Sequence, residues 1–382
     1  MIVPSQFLHI LQAQGISFFT GVPDSLLKEL CSCISAELPP QQHIIASNEG
    51  SAVGLAIGHY LATANPAMVY MQNSGLGNVV NPITSLADPE VYAIPMLLLV
   101  GWRGELLDEG GQLADEPQHR KQGKVTLAQL RTLDIPYRVL DADSPNPSEM
   151  LDDLLEQAAL RCGPVALVVR KGTFAAYKGD SAGFAEPLPA REEAIEVILE
   201  ASGQDVAVVS TTGKASREVF ELRRAQSAGH HRDFLTVGGM GHASQIAAGI
   251  ALARPEQQVI CIDGDGAALM HLGSMANSAD CDNLLHILIN NAAHDSVGGQ
   301  PTKGAVLDFS RLAHDMGYQH CARVDSLEDL RKLLSRYSAQ TGSRFIEVRC
   351  QLGSRSELGR PDRSPQQNKQ DFMQFLGAQD VR

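Results

Sequence analysis

The chain has 382 residues, 44% of them hydrophobic and 20% charged, with a formal net charge of −13. That is sequence enough for two ordinary domains with full cores, and its acidity argues against non-specific binding to nucleic acid or an anionic membrane. No apolar run reaches a membrane-spanning length, and Met1 to Gln6 lacks the charged and apolar blocks of a signal peptide, so the expectation is a cytoplasmic protein whose seven scattered cysteines are reduced thiols.

From Ile16 onward strand-like and helix-like stretches alternate. A strand at 16–19 runs into the turn Thr20 to Ser25, and a helix follows to about Leu38, with Asp24 or Ser25 as its N-cap. Strand 43–47 leads to Asn48-Glu49-Gly50 and a helix of small residues ending at Ala64; strand 67–71 leads to Gln72-Asn73-Ser74-Gly75 and another helix. A strand at 94–100 precedes a polar excursion, Gly101 to Lys124. Helix 126–134, strand 137–140, helix 148–161 and strand 164–170 complete a first α/β unit. Residues 172–190 carry Gly, Pro and Ser without apolar periodicity and read as a linker. A second series follows: helix 191–202, strand 206–210, helix 214–226, strand 234–237, helix 242–253, strands 258–262 and 284–289 with one crossover helix between them, helix 326–338 and strand 344–349. The pattern predicts two doubly wound parallel-sheet domains, 1–171 and 191–382, with no middle domain. The tail from Gln351 is polar apart from Phe372-Met373-x-Phe375.

The stretch with the most chemistry is Gly264-Asp265-Gly266, followed after 24 residues by Asn291. Each sits at the end of a buried strand, so Asp265 and Asn291 emerge together at the carboxyl edge of one sheet, where open α/β sheets bind ligands. One carboxylate, one amide oxygen and a backbone carbonyl (that of Ala293) suit a small hard cation such as Mg²⁺ held beside a diphosphate. The glycines let backbone N–H groups approach phosphate oxygens. Asp263-x-Asp265 lacks the ligand spacing of a calcium loop, and Gly238-Gly239-Met240-Gly241 is not the dinucleotide fingerprint. Thr212 and Gly213, at another strand end, offer a hydroxyl and backbone N–H to a diphosphate; Lys214 at a helix start is unfavourable unless an anion is near. Glu49 taken alone reads as a first-turn acid favoured by the helix dipole.

Together these motifs resemble those of the thiamine-diphosphate enzymes. The resemblance implies that Glu49 faces the cofactor's pyrimidine ring and drives its tautomerisation. It implies that the Gly238 carbonyl accepts from the pyrimidine amino group, that Met240 wedges between the two rings, and that Asn73, Ser74, Gly75, Gly264, Gly266 and Ala267 also line the cofactor. Several further stretches narrow it to 2-oxo acid decarboxylases: Gly21 to Ser25, Met71 to Gly75, Gly101 to Gly104, Asp115 to His119, His294 to Thr302, and Gly353 to Pro361. They are similar to the phosphonopyruvate decarboxylase branch, with sulfopyruvate decarboxylases, often split into two subunits, close by. Two departures stand out: Gly111 to Ala114 lengthens the loop before Asp115, and Ala292 stands where a glycine is more usual.

The implied substrate is a small 2-oxo acid with a second anionic group, 3-phosphonopyruvate before sulfopyruvate. Basic groups to meet it are expected in loops: His119, Arg120, Lys121, His294 and Lys303. His294 and His119, titrating near neutral pH, are candidates to return a proton after CO₂ leaves, with Asp24 as a second acid. The resemblance also implies a homo-oligomer with active sites between chains. The rival readings are a non-catalytic thiamine-binding subunit, against which Glu49, Asp265 and Asn291 together argue, and a nicotinamide-linked oxidoreductase, against which the missing fingerprint argues.

Overall fold

The computed structural model describes residues 1–108, 110–179 and 183–378. It separates into two compact units, Met1–Ser181 and Ala182–Arg382. In the first, strands β1 (Phe19–Gly21), β2 (His43–Ile45), β3 (Ala67–Gln72), β4 (Met96–Gly101), β5 (Tyr137–Leu140) and β6 (Pro164–Val169) form one sheet in the order β2-β1-β3-β4-β6-β5. In the second, β7 (Ala207–Ser210), β8 (Asp233–Leu235), β9 (Val259–Gly264), β10 (Leu284–Asn290), β11 (His320–Val324) and β12 (Arg344–Arg349) lie in the order β11-β12-β10-β9-β7-β8. Every pairing in both sheets is parallel.

The continuous apolar strands expected from the sequence are buried on both faces. Met68 and Tyr70 of β3 enter one core while Val69 and Met71 enter the other, the two-residue alternation of an extended chain between two helix layers. Ile260 and Ile262 of β9 part from Val259 and Cys261 in the same way. In each unit the strand order reverses near the middle of the sheet, where β3 returns to the far side of β1 and β9 to the far side of β7, and again at one edge, where β6 and β12 turn back inside β5 and β11. At such a switch point consecutive loops leave the carboxyl edge in opposite directions and open a crevice.

Several boundaries differ from expectation. The strand placed at 16–19 pairs only over Phe19–Gly21. The polar excursion is shorter than expected, because a helix starts at Pro117 and runs to Thr132; its charged first turns hid the apolar stripe, and proline suits a first helical position. The single crossover helix between β9 and β10 is broken into Asp265–Met270, a 3-10 turn at Leu272–Ser274 and Met275–Ser278. An N-terminal helix, Pro4–Ala13, the helix Phe309–Asp315, strand β11 and a C-terminal helix, Pro365–Phe375, had not been expected. β11 is half-exposed and polar, which erases the apolar run that marks a buried strand. Part of the stretch read as a linker is ordered against the first unit: Ile2 N–H donates to the Thr173 carbonyl, Ala175 N–H donates to that of Ile2, and Phe174 packs against Phe7. Among the described residues no helix is long and apolar enough to cross a membrane.

The edge of the second sheet is closed by a side chain. Asn368, on the C-terminal helix, accepts from Leu235 N–H at 3.0 Å and donates to the Asp233 carbonyl at 2.7 Å, so a side-chain amide takes the place of a neighbouring strand on β8. Phe372, one turn on, is buried beneath the same helix. Beside it, Arg223 and Asp233 form a fully buried ion pair at 3.1 Å. Asn368→Ala leaves two buried backbone groups unpaired, at a cost of about 1–3 kcal/mol. Hydrogen exchange at residues 233–236 is expected to accelerate while exchange in β3 and β4 stays unchanged; unaltered protection at Leu235 would remove Asn368 from this role.

Candidate active site

In the first unit Glu49 opens the helix Glu49–Thr63 directly after β2. Asn48 caps that helix, its side-chain oxygen accepting from Ser51 N–H at 2.8 Å. The Glu49 carboxylate is buried and accepts from Asn78 Nδ2 at 2.6 Å. Gly75 lies against it so closely that a Cβ there would come within 2.6 Å of Oε1. Gly75 is thus required to admit the carboxylate.

A second cluster forms beyond the ends of β1, β3 and β4. Asp24 is fully buried; it accepts from Gln72 Nε2 at 2.8 Å and from Leu26 N–H at 3.0 Å. Burial raises its pKa above the ordinary carboxylate value against those two bonds and the charge of Arg103. Gly101, closing β4, makes room for it, since a Cβ would meet its Oδ2 at 2.1 Å. Arg103 grips Asp115 through Nε at 2.8 Å and Nη2 at 2.6 Å, and reaches Ser25 Oγ at 2.8 Å. Asn73 points into this cluster, donating to the Arg103 carbonyl and to Thr126 Oγ1, both at 2.9 Å. Ser74 donates to Gln72 Oε1 at 2.9 Å and is exposed. His119, Arg120 and Lys121, expected in a loop, lie instead in the first turns of the helix Pro117–Thr132. His119 is buried there, while Arg120 and Lys121 are exposed. Gly123 on the same helix touches the Gly104 carbonyl, which a Cβ would reach at 1.7 Å.

In the second unit the loops after β7, β8, β9 and β10 converge. Asp265, buried at the end of β9, accepts from the Thr302 hydroxyl. Gly304 packs over both, a Cβ there falling 2.6 Å from Asp265 Oδ2. Asn291 is buried and accepts from Ala293 N–H at 3.2 Å. Ala292, between them, has φ 58°, so a residue with a Cβ occupies a left-handed conformation in which glycine is unstrained. Its N–H is held by Asn290 Oδ1 at 3.0 Å, and Asn290 donates to the Gly304 carbonyl at 2.9 Å and to Glu347 at 2.8 Å. Gly266 sits beneath two site residues: a Cβ would meet the His294 imidazole at 3.1 Å and Met240 Cε at 3.3 Å. Gly264 and Ala267 flank the same corner, Ala267 buried. Gly213 has φ +92° and faces Ser296, and Thr212 beside it is half-buried. Gly238, half-buried, precedes the turn in which His242 Nδ1 lies 3.0 Å from the Gly239 carbonyl.

Two expectations are corrected here. Lys214 does face an anion, but that anion belongs to the chain: its Nζ donates to Asp295 Oδ1 at 3.0 Å. His294 was expected to titrate near neutrality; burial lowers it to about 4, so its imidazole is neutral at pH 7. Partners that had gone unrecognised are Asn78 for Glu49, Arg103 for Asp115, and Thr302 for Asp265. They lie 29, 12 and 37 residues away in sequence, so periodicity carries no trace of them.

The residues fit a cation with a diphosphate. Burial lifts the Asp265 carboxyl to about 7 in spite of bonds from Thr302 and the Gly266 and Asn291 backbone. A buried carboxylate, a buried side-chain amide oxygen and a backbone carbonyl of the turn after β10 make a donor set for a hard cation. In the metal-free fold Asp265 holds its proton up to about 7, whereas the unfolded side chain loses it near 3.8. Its raised pKa therefore stabilises the fold at low pH, and that contribution fades as pH climbs from 3.8 to about 7. Melting curves of metal-free protein across this window are expected to show the decline, and Asp265→Asn to flatten it. A slope that survives the substitution would place its origin elsewhere.

Comparison with known proteins identifies the family. The family "Thiamine pyrophosphate enzyme, N-terminal TPP binding domain" matches residues 1–125, and "Thiamine pyrophosphate enzyme, C-terminal TPP binding domain" matches residues 211–348. The chain is 33% identical to a phosphonopyruvate decarboxylase of Streptomyces hygroscopicus, over 98% of this chain and 94% of that one. It is 31% identical to a phosphonopyruvate decarboxylase of Streptomyces viridochromogenes, over 98% and 95%. A sulfopyruvate decarboxylase of Methanosarcina acetivorans is 28% identical, over 97% and 96%. With both cofactor-binding domains matched and relatives aligned along nearly its whole length, the chain belongs to the thiamine-diphosphate-dependent decarboxylases, in the family of the phosphonopyruvate decarboxylases.

Proposed function

We propose that the protein decarboxylates 3-phosphonopyruvate to phosphonoacetaldehyde and CO₂, using thiamine diphosphate and Mg²⁺. The observation that carries the substrate assignment is the chain-long identity, 33% and 31%, to two phosphonopyruvate decarboxylases. Sulfopyruvate, another 2-oxo acid with a tetrahedral anionic group, is the second reading, supported by the relative at 28%.

On this reading each residue has a task. Asp265, Asn291 and the Ala293 carbonyl would hold Mg²⁺. Gly264, Gly266, Ala267, Thr212 and Gly213 would meet the diphosphate through backbone N–H groups and a hydroxyl. The Gly238 carbonyl would accept from the pyrimidine amino group, and Met240, already beside His294 over Gly266, would support the bent cofactor. When bound, thiamine diphosphate supplies a nucleophilic carbon and an electron sink for the pair left by CO₂. Glu49, fixed by Asn78, would give and take a proton at the pyrimidine ring; Asn73, Ser74 and Gly75 would shape the wall around it. His294, half-buried and neutral, would relay a proton to the carbon that loses CO₂, taking one up at one ring nitrogen as it gives up the one on the other, with His119 and Asp24 as further proton carriers. Asp24, buried with a raised pKa, is suited to hold a proton. The phosphonate would meet Lys303, with Arg120 and Lys121 exposed on their helix.

Purified protein is expected to release CO₂ from 3-phosphonopyruvate in preference to sulfopyruvate, with activity lost on chelating Mg²⁺. The reverse preference moves the assignment to the second reading. Glu49→Gln should bind thiamine diphosphate yet slow hydrogen–deuterium exchange at the thiazolium carbon by roughly 10²-fold or more; unchanged exchange takes Glu49 out of the mechanism.

The same reading makes the working enzyme a homo-oligomer in the cytoplasm, with Glu49 of one chain serving the Asp265 half-site of another. Glu49→Gln and Asp265→Ala chains, each inactive alone, are then expected to regain part of the activity after subunit exchange. No recovery in verified mixed oligomers would count against shared sites.

A further inference from the structure

The turn after β10 carries three consecutive polar residues, each packed against another part of the second unit. His294 lies over Gly266 and Ser296 over Gly213, at distances where a Cβ would come within 3.1 Å and 2.8 Å of their side chains. Asp295, between them, is held by two cations. Its Oδ2 accepts from Arg191 Nη1 at 2.7 Å, and its Oδ1 from Lys214 Nζ at 3.0 Å. Arg191 opens the helix Arg191–Ala201, and Lys214 opens the helix Lys214–Ala225. Arg191 is already matched by Glu218, to which Nε and Nη2 donate at 2.7 and 2.8 Å in a buried fork. Joining the two helices needs only that fork. The third arm of Arg191 and the whole of Lys214 are directed to one carboxylate on the site turn. Lys214 stands at a helix start, where the dipole disfavours a cation, so the contact with Asp295 also offsets a local cost.

We propose that Asp295, held by Arg191 and Lys214, is the positioning residue for His294. Two side-chain anchors from two helices fix the direction in which the turn leaves β10, and so hold the imidazole over Gly266 beside Met240. The alternative is that the turn's own backbone suffices. His294 N–H donates to the Gln300 carbonyl at 2.8 Å, and the His294 carbonyl accepts from Val297 at 3.1 Å and Gly299 at 3.0 Å. Those bonds, with the Ala293–Pro301 bridge and the bond from Thr302 N–H to the Ala292 carbonyl at 3.0 Å, fix the turn's shape, but all of them lie within the turn, whereas Arg191 and Lys214 tie it to two neighbouring helices. The catalytic consequence rests on the role given to His294 above; its placement does not.

The test is made on the full-length protein with Asp295→Asn. In the cofactor-free state, carbethoxylation of His294 by diethyl pyrocarbonate, followed by peptide mapping, is expected to run at least about fivefold faster than in the wild type, with exposed His9 and His314 as unchanged references. In the holoenzyme kcat is expected to fall about tenfold, while thiamine diphosphate affinity by calorimetry stays within about threefold. In a His294→Ala background Asp295→Asn should alter kcat by less than about twofold, because its effect passes through the missing imidazole. An unchanged labelling rate at His294, an equal loss of kcat in both backgrounds, or a parallel loss of cofactor affinity overturns the proposal. If His294→Ala alone leaves kcat intact, the proton-transfer role falls, while the labelling still decides the clamp. Should Asp295→Asn not fold, Lys214→Gln, at a side chain one-quarter exposed, is expected to speed labelling in the same direction by a smaller factor, and no change there overturns the proposal as well.

Discussion

Strands buried on both faces are mostly apolar along their length, and their few polar side chains, such as Asp263, His286 and Glu347, are buried, so groups that can meet a ligand gather where the backbone leaves the sheet. In both units that constraint selects the carboxyl edge. β9 ends in Gly264 and continues as Asp265; β10 ends in Asn290 and continues as Asn291. In the first unit Glu49 follows β2 closely, and the Asp24, Gln72 and Arg103 cluster follows β1, β3 and β4. The reversal of strand order then spreads neighbouring loops apart and leaves a crevice between them. Charge buried at such an edge is costly unless paired. Arg103 is answered by Asp115 and Arg191 by Glu218, whereas Asp265 has a hydroxyl and backbone donors, and its pKa rises accordingly.

Close approach is the second theme, and glycine is how the chain achieves it. Gly75 admits the Glu49 carboxylate, Gly101 admits that of Asp24, and Gly266 lets an imidazole and a thioether meet above the backbone. In each case the missing Cβ matters more than backbone freedom, since none of the three has a positive φ. Ala292 is the converse: its φ of 58° accepts conformational strain in the turn that carries Asn291.

The parallel two-unit architecture could be read from the sequence because buried strands such as Met96–Gly101 are unbroken apolar runs, and because turn residues separate them from helices. Asp265 and Asn291 were legible for the same reason: a strand end is a position that sequence can locate. What escaped were features set by tertiary context. β11 has no apolar run. The helix at Pro117 begins with Gln118, His119, Arg120 and Lys121, which read as loop until the burial of Gly123 against Gly104 is seen. The neutral state of His294 and the capture of Lys214 by Asp295 depend on which loops fold together, and no local pattern encodes that.

The capping of β8 by Asn368 bears on how the protein avoids sticking to itself. A short edge strand with open N–H and C=O groups is a template onto which another chain can add a strand. Here the template is masked by a helix from the far end of the sequence, docked through Phe372 and one amide side chain. Proteolytic trimming or a bulky fusion that dislodged residues 365–375 would leave the catalytic loops in sequence untouched, yet would uncover an adhesive edge. For this fold, then, the masking of that edge rests on a segment remote in sequence from Asp265 and Asn291.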